Sequence, residues 1–370
     1  PKRKMVPRWC ILQFSMKLLS VASARPNFVK LAAIDHAVRS LNDPSIEHVI
    51  VHTGQHYDPL FSDVFFEQLQ ITTPAHNLGI HGGTREEVID RTEQAMLPVL
   101  DQEQPDVVIV YGDVNGAVGA ARAAKKLGMR LAHVEAGLRS FDTSMPEELN
   151  RMEVDAASDV LFCSETSGVS HLEEPGSTNG DVHFVGNTMI DTLVRMLPSI
   201  QGMLLPIDIA PPYVVATLHR PSNVDDRTTL SGILHFLGDV GERCSVVVPV
   251  HHRLRSMLDK HGLTDEIPKG VRLIEAQPYT SFLRLAMSSA FILTDSGGIQ
   301  EEAVLLRKRC FTLRRNTERP VTIEVGSNIL IDPSAERDRH AVLAFAEDPG
   351  DVGVDVPPLW DGHAGERIVA

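Results

Sequence analysis

Leu18-Leu19-Ser20-Val21-Ala22-Ser23-Ala24-Arg25-Pro26-Asn27-Phe28-Val29-Lys30 is the stretch that decides the fold. Its first five residues read as a buried strand, and Ser23–Lys30 as the turn that opens a helix. Outward from it, short apolar runs recur at His48–His52, Val107–Tyr111, Leu131–Val134, Val160–Cys163 and His183–Val185. A second series follows at Tyr213–Leu218, Ser245–Val250, Val271–Ile274, Phe291–Thr294, Cys310–Leu313 and Asn328–Ile331. Many runs are continuous rather than alternating, as strands covered on both faces must be. Helical segments separate them, and Thr84–Glu87 and Ser144–Glu147 have the form of capping boxes. Alternating strand and helix implies parallel sheets flanked by helices. The expected fold is α/β, with two doubly wound Rossmann-like domains facing a central cleft.

The 370 residues carry a net charge of −14, with 43% hydrophobic and 23% charged residues. That composition is ordinary for a globular chain long enough for two cores. The acidic balance excludes a general nucleic-acid binder, which needs a basic face, but not a small anionic ligand held by a few local cations. Cys10, Cys163, Cys244 and Cys310 are scattered and form no metal-ligand grouping, which fits free thiols in a reducing cytoplasm. No run approaches the roughly 20 apolar residues of a membrane span. Lys2, Arg3 and Lys4 before Trp9–Leu12, with Ala22-Ser23-Ala24 beyond, have the outline of a signal peptide. Gln13 and Lys17 interrupt its apolar part, so a basic, poorly ordered extension over residues 1–16 is expected instead. The first domain is set at 17–190 and the second at 191–356, and 357–370 is expected to pack back on the first. Leu197-Pro198 and Pro211-Pro212 mark the break between them.

Ligands of open parallel sheets bind beyond the carboxyl ends of the strands, beside helix N-termini. Arg25 and Lys30 stand at such an end and suit a pyrophosphate, unless both are merely solvated. Asp113, in Tyr111-Gly112-Asp113, either caps the next helix or acts in the cleft. Glu135, in His133–Arg139, is a carboxylate at a strand end, costly to bury alone. It pairs with Arg139 or another cation, or works as an acid or base. Glu147, Asn150 and Arg151 share one helical face, so Glu147 is either part of an exposed ion pair or a cleft carboxylate oriented by Arg151. His219 follows the first strand of the second domain. Ser296-Gly297-Gly298 is a small turn into a helix, where free amides hold phosphate. Glu302 lies farther along that helix, placed to accept ribose hydroxyls, and Arg319 lies in a later loop. No zinc signature, P-loop, nucleophile elbow or complete dinucleotide fingerprint is present, so no metal and no cofactor is expected.

Together these segments resemble the non-hydrolysing UDP-N-acetylglucosamine 2-epimerases, a family with the two-domain glycosyltransferase-B-like fold. The resemblance runs from Leu18 to Ile368. It rests on Ala24–Lys30, Thr53-Gly54-Gln55-His56, His133–Arg151, Val185–Asp191, Thr217–Asn223, Thr294–Glu302 and Asn316–Pro320. It implies a UDP-sugar in the interdomain crevice, with the second domain binding UDP. Ser296, Gly297 and Gly298 would hold the pyrophosphate, Glu302 the ribose, and Gln277 and Phe282 the uracil. Arg25, Lys30, Arg151, His219 and Arg319 would line the phosphate and sugar region. Asp113, Glu135 and Glu147 match the family's catalytic carboxylates, and His219 is assigned phosphate or sugar contacts with a share in proton transfer. The implied route is anti elimination of UDP to 2-acetamidoglucal, followed by re-addition. That route needs acid–base groups on both faces of C2, because the C2 proton has no adjacent carbonyl to acidify it. A homodimer is the expected assembly.

Three departures from the family pattern stand out. Ser23 replaces the usual Gly of the first motif. Gly116-Ala117 offers no hydroxyl where members often carry Ser or Thr. Tyr57-Asp58 replaces the Gln of a second, effector site. The competing readings are an epimerase of a modified UDP-N-acetylhexosamine, a hydrolysing epimerase that releases UDP and N-acetylmannosamine, a UDP-sugar glycosyltransferase, and a catalytically silent nucleotide-sugar sensor.

Overall fold

A computed structural model of the chain describes residues 15–54 and 65–370. Most of the basic extension, Cys10, Gln55-His56 and Tyr57-Asp58 lie outside the described residues. Of the extension, Met16 falls inside and already begins the first strand, two residues earlier than expected.

The strands form two all-parallel sheets. The first is ordered β3-β2-β1-β4-β5-β6-β7 and contains β1 (Met16–Ala22), β2 (Ile46–His52), β3 (His76–Asn77), β4 (Val107–Tyr111), β5 (Arg130–Val134), β6 (Val160–Cys163) and β7 (Asp181–Phe184). The second is ordered β10-β9-β8-β11-β12-β13 and contains β8 (Tyr213–Thr217), β9 (Ser245–Pro249), β10 (Val271–Ile274), β11 (Ile292–Thr294), β12 (Cys310–Thr312) and β13 (Asn328–Leu330). Each sheet reverses winding between its first and fourth strands, at β1/β4 and at β8/β11. Such switch points leave a crevice at the strands' carboxyl ends. The continuous apolar runs follow from burial on both faces. Alternate residues of β1 and β4 enter separate cores, Leu18 and Ile109 in one, Leu19, Val21, Val108 and Val110 in the other. Ser20 interrupts the run, and its hydroxyl is matched by Tyr111 Oη at 2.7 Å and His48 Nε2 at 2.8 Å. The two-residue β3 was not legible, because it has no apolar run.

Local signals were met unevenly. Thr84 caps the helix Arg85–Glu103 as half of a true capping box with Glu87. Ser144 does not cap the helix Pro146–Ala157, whose N-cap is Met145. Its amide and hydroxyl both bond to the Asp142 carboxylate instead, a local turn that diverts the side chain. Leu197-Pro198 makes no break either. Both residues, and position 191, lie within the helix Thr188–Gln201. That helix buries Leu193, Met196 and Ile200 in the first lobe's core beside the helix Arg25–Leu41. Tertiary burial outweighs the proline there.

The chain end returns to the first lobe. Trp360 is buried and donates its indole N–H to the Ser164 carbonyl at 2.9 Å. The helix Ala364–Val369 lies on Arg25–Leu41, with the Gly365 amide on Asp191 at 2.7 Å. A Cβ at Gly365 would meet the Ala33 carbonyl oxygen at 2.4 Å, so only glycine permits that approach. Among the described residues no helix is long and apolar enough to cross a membrane.

Candidate active site

The two switch points carry the residues singled out from sequence. At the first, Asn27 binds the turn together. Its Oδ1 accepts from the Ala24 amide at 3.0 Å, and its Nδ2 donates to the Tyr111 carbonyl at 2.9 Å, tying β1 to β4. Lys30 follows on the same helix and is 4% exposed. Its ammonium pairs with Glu135, across the end of β5. Burial lowers the Lys30 pKa to about 8, with Arg319 adding to the effect.

Glu135 sits in the left-handed region at φ 71°, a conformation that costs free energy for a non-glycine residue and concentrates at functional sites. The turn is held because the amides of Glu135 and Ala136 both donate to the Phe162 carbonyl, at 3.0 and 3.1 Å. Sequence left open whether Glu135 pairs with Arg139. It does not: its partners are Lys30 and Arg319, and Arg139 reaches Asp155 at 2.6 Å. Asp113 does not cap the following helix, whose N-cap is Val114. Its carboxylate receives Arg151 Nε at 3.2 Å and Nη2 at 2.8 Å. Burial alone would push the Asp113 carboxyl up, but Arg151, Lys30 and Arg319 together hold it below the usual range.

Arg151 is 1% exposed, and its partner on its own helix is Glu148, not Glu147. The expected Glu147–Arg151 orientation is therefore corrected. Glu148 is buried and also accepts the Ser140 amide and hydroxyl, both at 2.9 Å, which draws Arg151 towards it. Glu147 is exposed, and its charge acts on Arg220 of the opposite lobe. It lies outside the buried network, within electrostatic reach of the second lobe.

At the second switch point, Asp295 closes β11 and is fully buried. It accepts the amides of His219, at 3.0 Å, and Arg220, at 2.9 Å, and pairs with His219 Nδ1 at 2.6 Å. His219 remains 39% exposed on its side chain. Ser296 is the N-cap of the helix Gly297–Leu305, with no side-chain cap bond. The first amides of an α-helix have no partner within it, which suits an anion. A Cβ at Gly297 would lie 2.7 Å from Glu318 Oε1 and 3.2 Å from Arg319 Nη1. Glu302 is 4% exposed and accepts the Tyr279 hydroxyl at 2.7 Å. Burial raises its pKa to about 7, with Glu301 adding and Tyr279 opposing. Gln277 bonds locally to the Glu275 carbonyl at 2.8 Å, and Phe282 packs half-buried beside Ala286 and Ile292.

Arg319 crosses between the lobes. It is 5% exposed and holds Glu135 of the first lobe, Glu318 at 2.8 Å and Glu301 at 3.0 Å. Lys30, Glu135, Arg151 and Arg319 are buried and, with the partly exposed Asp113, form one charge cluster, while Arg25, Glu147 and Gln277 lie outside it. Arg25 is exposed on the first helical turn, near enough for its charge to act on His252. Sequence reading missed Glu148, Glu301, Glu318 and Asp295. Glu148 had a signal in its i,i+3 spacing to Arg151, and the others sat inside quoted motifs without a role. Two of the departures prove coupled: a Cβ at Gly116 would lie 2.1 Å from Ser23 Oγ, so the Ser23 side chain fills the volume that Gly116 vacates. Among the described residues no group of His, Cys, Asp or Glu could hold a metal.

Comparison with known proteins bears on the fold and the family. Residues 39–370 match the family model of UDP-N-acetylglucosamine 2-epimerase. The chain is 37% identical to the UDP-N-acetylglucosamine 2-epimerase of Methanocaldococcus jannaschii over 364 residues, covering 96% of this chain and 98% of that one. It is 38% identical to the UDP-2,3-diacetamido-2,3-dideoxy-D-glucuronate 2-epimerase of Pseudomonas aeruginosa over 362 residues, covering 95% and 98%. The crystal structure of the M. jannaschii enzyme in complex with UDP-GlcNAc and UDP superposes with a TM-score of 0.86 at 35% identity, covering 96% of this chain and 98% of that chain. With two doubly wound lobes, charged residues converging at their switch points and relatives matched over nearly the whole length, the chain belongs to the UDP-N-acetylglucosamine 2-epimerase family.

Proposed function

We propose that this chain interconverts UDP-N-acetylglucosamine and UDP-N-acetylmannosamine without hydrolysis, by anti elimination of UDP and re-addition. The observation that carries this reading is the Lys30–Glu135–Arg319 contact. It holds a carboxylate between two cations, one from each lobe, and in this reading the sugar–diphosphate bond lies beside it. In the forward step a carboxylate takes the C2 proton. The C2–H electron pair forms the C1=C2 bond, and the C1–O pair leaves with UDP. Lys30 and the Gly297–Leu305 helix start would stabilise the departing diphosphate. In the return step a second acid protonates C2 from the other face, and the UDP oxygen rebonds to C1. Asp113 and Glu135 are the acid–base pair in this reading, with Glu147 and His219 closing the site from its mouth. Arg151, Lys30 and Arg319 keep Asp113 ionised, so in this reading it enters the reaction as a carboxylate. Glu302 and Tyr279 would hold the ribose, Gln277 and Phe282 the uracil, and Arg25 the outer phosphate. The active species is a homodimer.

The P. aeruginosa relative, at 38% identity, favours a second reading in which the substrate is a 2,3-diacetamido uronic acid nucleotide. Incubation with UDP-N-acetylglucosamine alone in D2O, followed by NMR, tests the first. UDP-N-acetylmannosamine carrying deuterium at C2 is expected in a reversible mixture. Accumulating free N-acetylmannosamine would replace this reading with the hydrolysing one. A kcat/KM for the diacetamido uronate at least about 100-fold higher would replace the substrate.

A further inference from the structure

His133 is fully buried on β5 and belongs to neither charge pair of the proposed reaction. Its Nδ1 lies 2.7 Å from Asp155 Oδ1, and its Nε2 lies 2.9 Å from the carbonyl oxygen of Gly112. A carbonyl oxygen only accepts, so Nε2 must carry hydrogen. The Asp155 carboxylate is likewise filled with donors. The Gly137 amide reaches both of its oxygens, at 3.3 and 3.2 Å, and Arg139 donates to Oδ2 at 2.6 Å. Burial would push the Asp155 carboxyl up, but the His133 ring N–H and the Arg139 guanidinium hold it below its usual range, so it is a carboxylate and Nδ1 carries hydrogen as well. A histidine with two acceptor-only partners is an imidazolium.

The partners give this cation a purpose. Gly112 immediately precedes Asp113, and its own amide donates to the Val134 carbonyl at 3.0 Å. Its α-carbon side is pressed close to Lys30, since a Cβ there would come within 2.9 Å of Nζ. Gly137 lies two residues after Glu135, in the turn that Asp155 and Arg139 hold. We infer that buried, doubly protonated His133, paired with Asp155, is a positioning residue that fixes the distance between the turn bearing Asp113 and the turn bearing Glu135. Arg139 and Asp155 are the charged side chains on this cluster, and two cations face one carboxylate. The neighbouring Cys163 thiol is neutral, its pKa raised to about 12 by burial.

The inference rests on the reading of Asp113 and Glu135 as the acid–base pair, so its test has two independent arms. In the first, wild-type protein labelled with 15N-histidine is examined by NMR at pH 7.5, with the His133 signals assigned by their loss in His133→Gln or His133→Asn. Hydrogen on both ring nitrogens is expected, and a bare ring nitrogen overturns the proposal. In the second, His133→Gln leaves the Gly112 carbonyl without its donor. We expect kcat to fall roughly 10- to 100-fold, as small misplacements of catalytic groups do. KM and UDP affinity should stay within about threefold of wild type, because the second lobe holds the nucleotide. A folded variant with kcat within about twofold of wild type overturns the positioning role. Wild-type protein that fails to epimerise UDP-N-acetylglucosamine breaks the functional reading alone, and the nitrogen measurement still decides the state of His133.

Discussion

The two lobes present their switch points to the same gap with different means. The first lobe offers charge, nearly all of it already paired: Lys30 with Glu135, and Arg151 with both Asp113 and Glu148. The second lobe also holds paired charge, Arg319 with Glu301 and Glu318, but adds the helix-start amides of Gly297 and Gly298 and a Glu302 poised to lose or keep its proton near neutral pH. Paired charge fixes geometry before ligand arrives and costs little rearrangement when charge shifts during reaction. Backbone amides grip an anion without adding a counter-charge that would hinder its release. The reacting end of the ligand needs the former and its diphosphate handle the latter.

Four substitutions would break or sharpen that contrast. The largest effect is expected for Glu135→Gln, which removes the carboxylate joining Lys30 to Arg319. Turnover should fall roughly 1,000-fold, within the range of lost acid–base catalysis, while UDP affinity measured by calorimetry changes little. Equal losses of turnover and UDP affinity would erase the division of labour between lobes. Glu148→Ala should act on stability, because it leaves Arg151 half-paired in a buried site. A loss of about 3–5 kcal/mol in denaturant unfolding is expected. Gly297→Ala should do the reverse of Glu135→Gln. Its methyl would press on Glu318 and Arg319 and weaken UDP binding about 10-fold, with a smaller effect on C2 exchange per bound complex.

The fourth effect concerns pH. Glu165, 1% exposed and beside Glu301, has its pKa raised to about 7 by burial. The folded state keeps its proton up to about pH 7, whereas the unfolded chain releases it near the ordinary glutamate value. Ionisation therefore erodes stability as pH rises through that window, and the penalty is complete above the folded pKa. Glu165→Gln removes it, with a gain of up to about 3 kcal/mol at pH 8 and none below the window. Thermal melts at pH 5 and pH 8 check the sign, and a gain confined to pH 5 would refute it.

Much of the fold was readable in order along the chain, because strands buried on both faces must be apolar throughout and the helix starts between them carry turn chemistry. Lys30 and Glu135 were readable as candidates because a charge at a strand end has few bland explanations. Their partnership was not, since it joins elements 105 positions apart in sequence numbering. The same holds for Arg319, placed in a later loop and expected to line the phosphate and sugar region, and found buried among three carboxylates. Glu147 and Glu148 show the limit most plainly. Adjacent residues on a helix point about 100° apart, and periodicity alone cannot say which faces the buried arginine. The Ser144 capping box and the Pro198 break failed for a related reason, as a nearby Asp142 and a packed helix face outweighed local propensity.

Sequence by itself determined the parallel α/β architecture, the strand ends that carry chemistry and the residue types gathered there, since those depend on local periodicity and on the cost of burying charge. Only the tertiary structure decided which charges neutralise one another, that His133 stands between two acceptors, and that Ser23 fills the room left by Gly116. Those are matters of distance between elements far apart in the chain, and electrostatic pairing and close packing act over a few ångströms of space, whatever the separation in sequence.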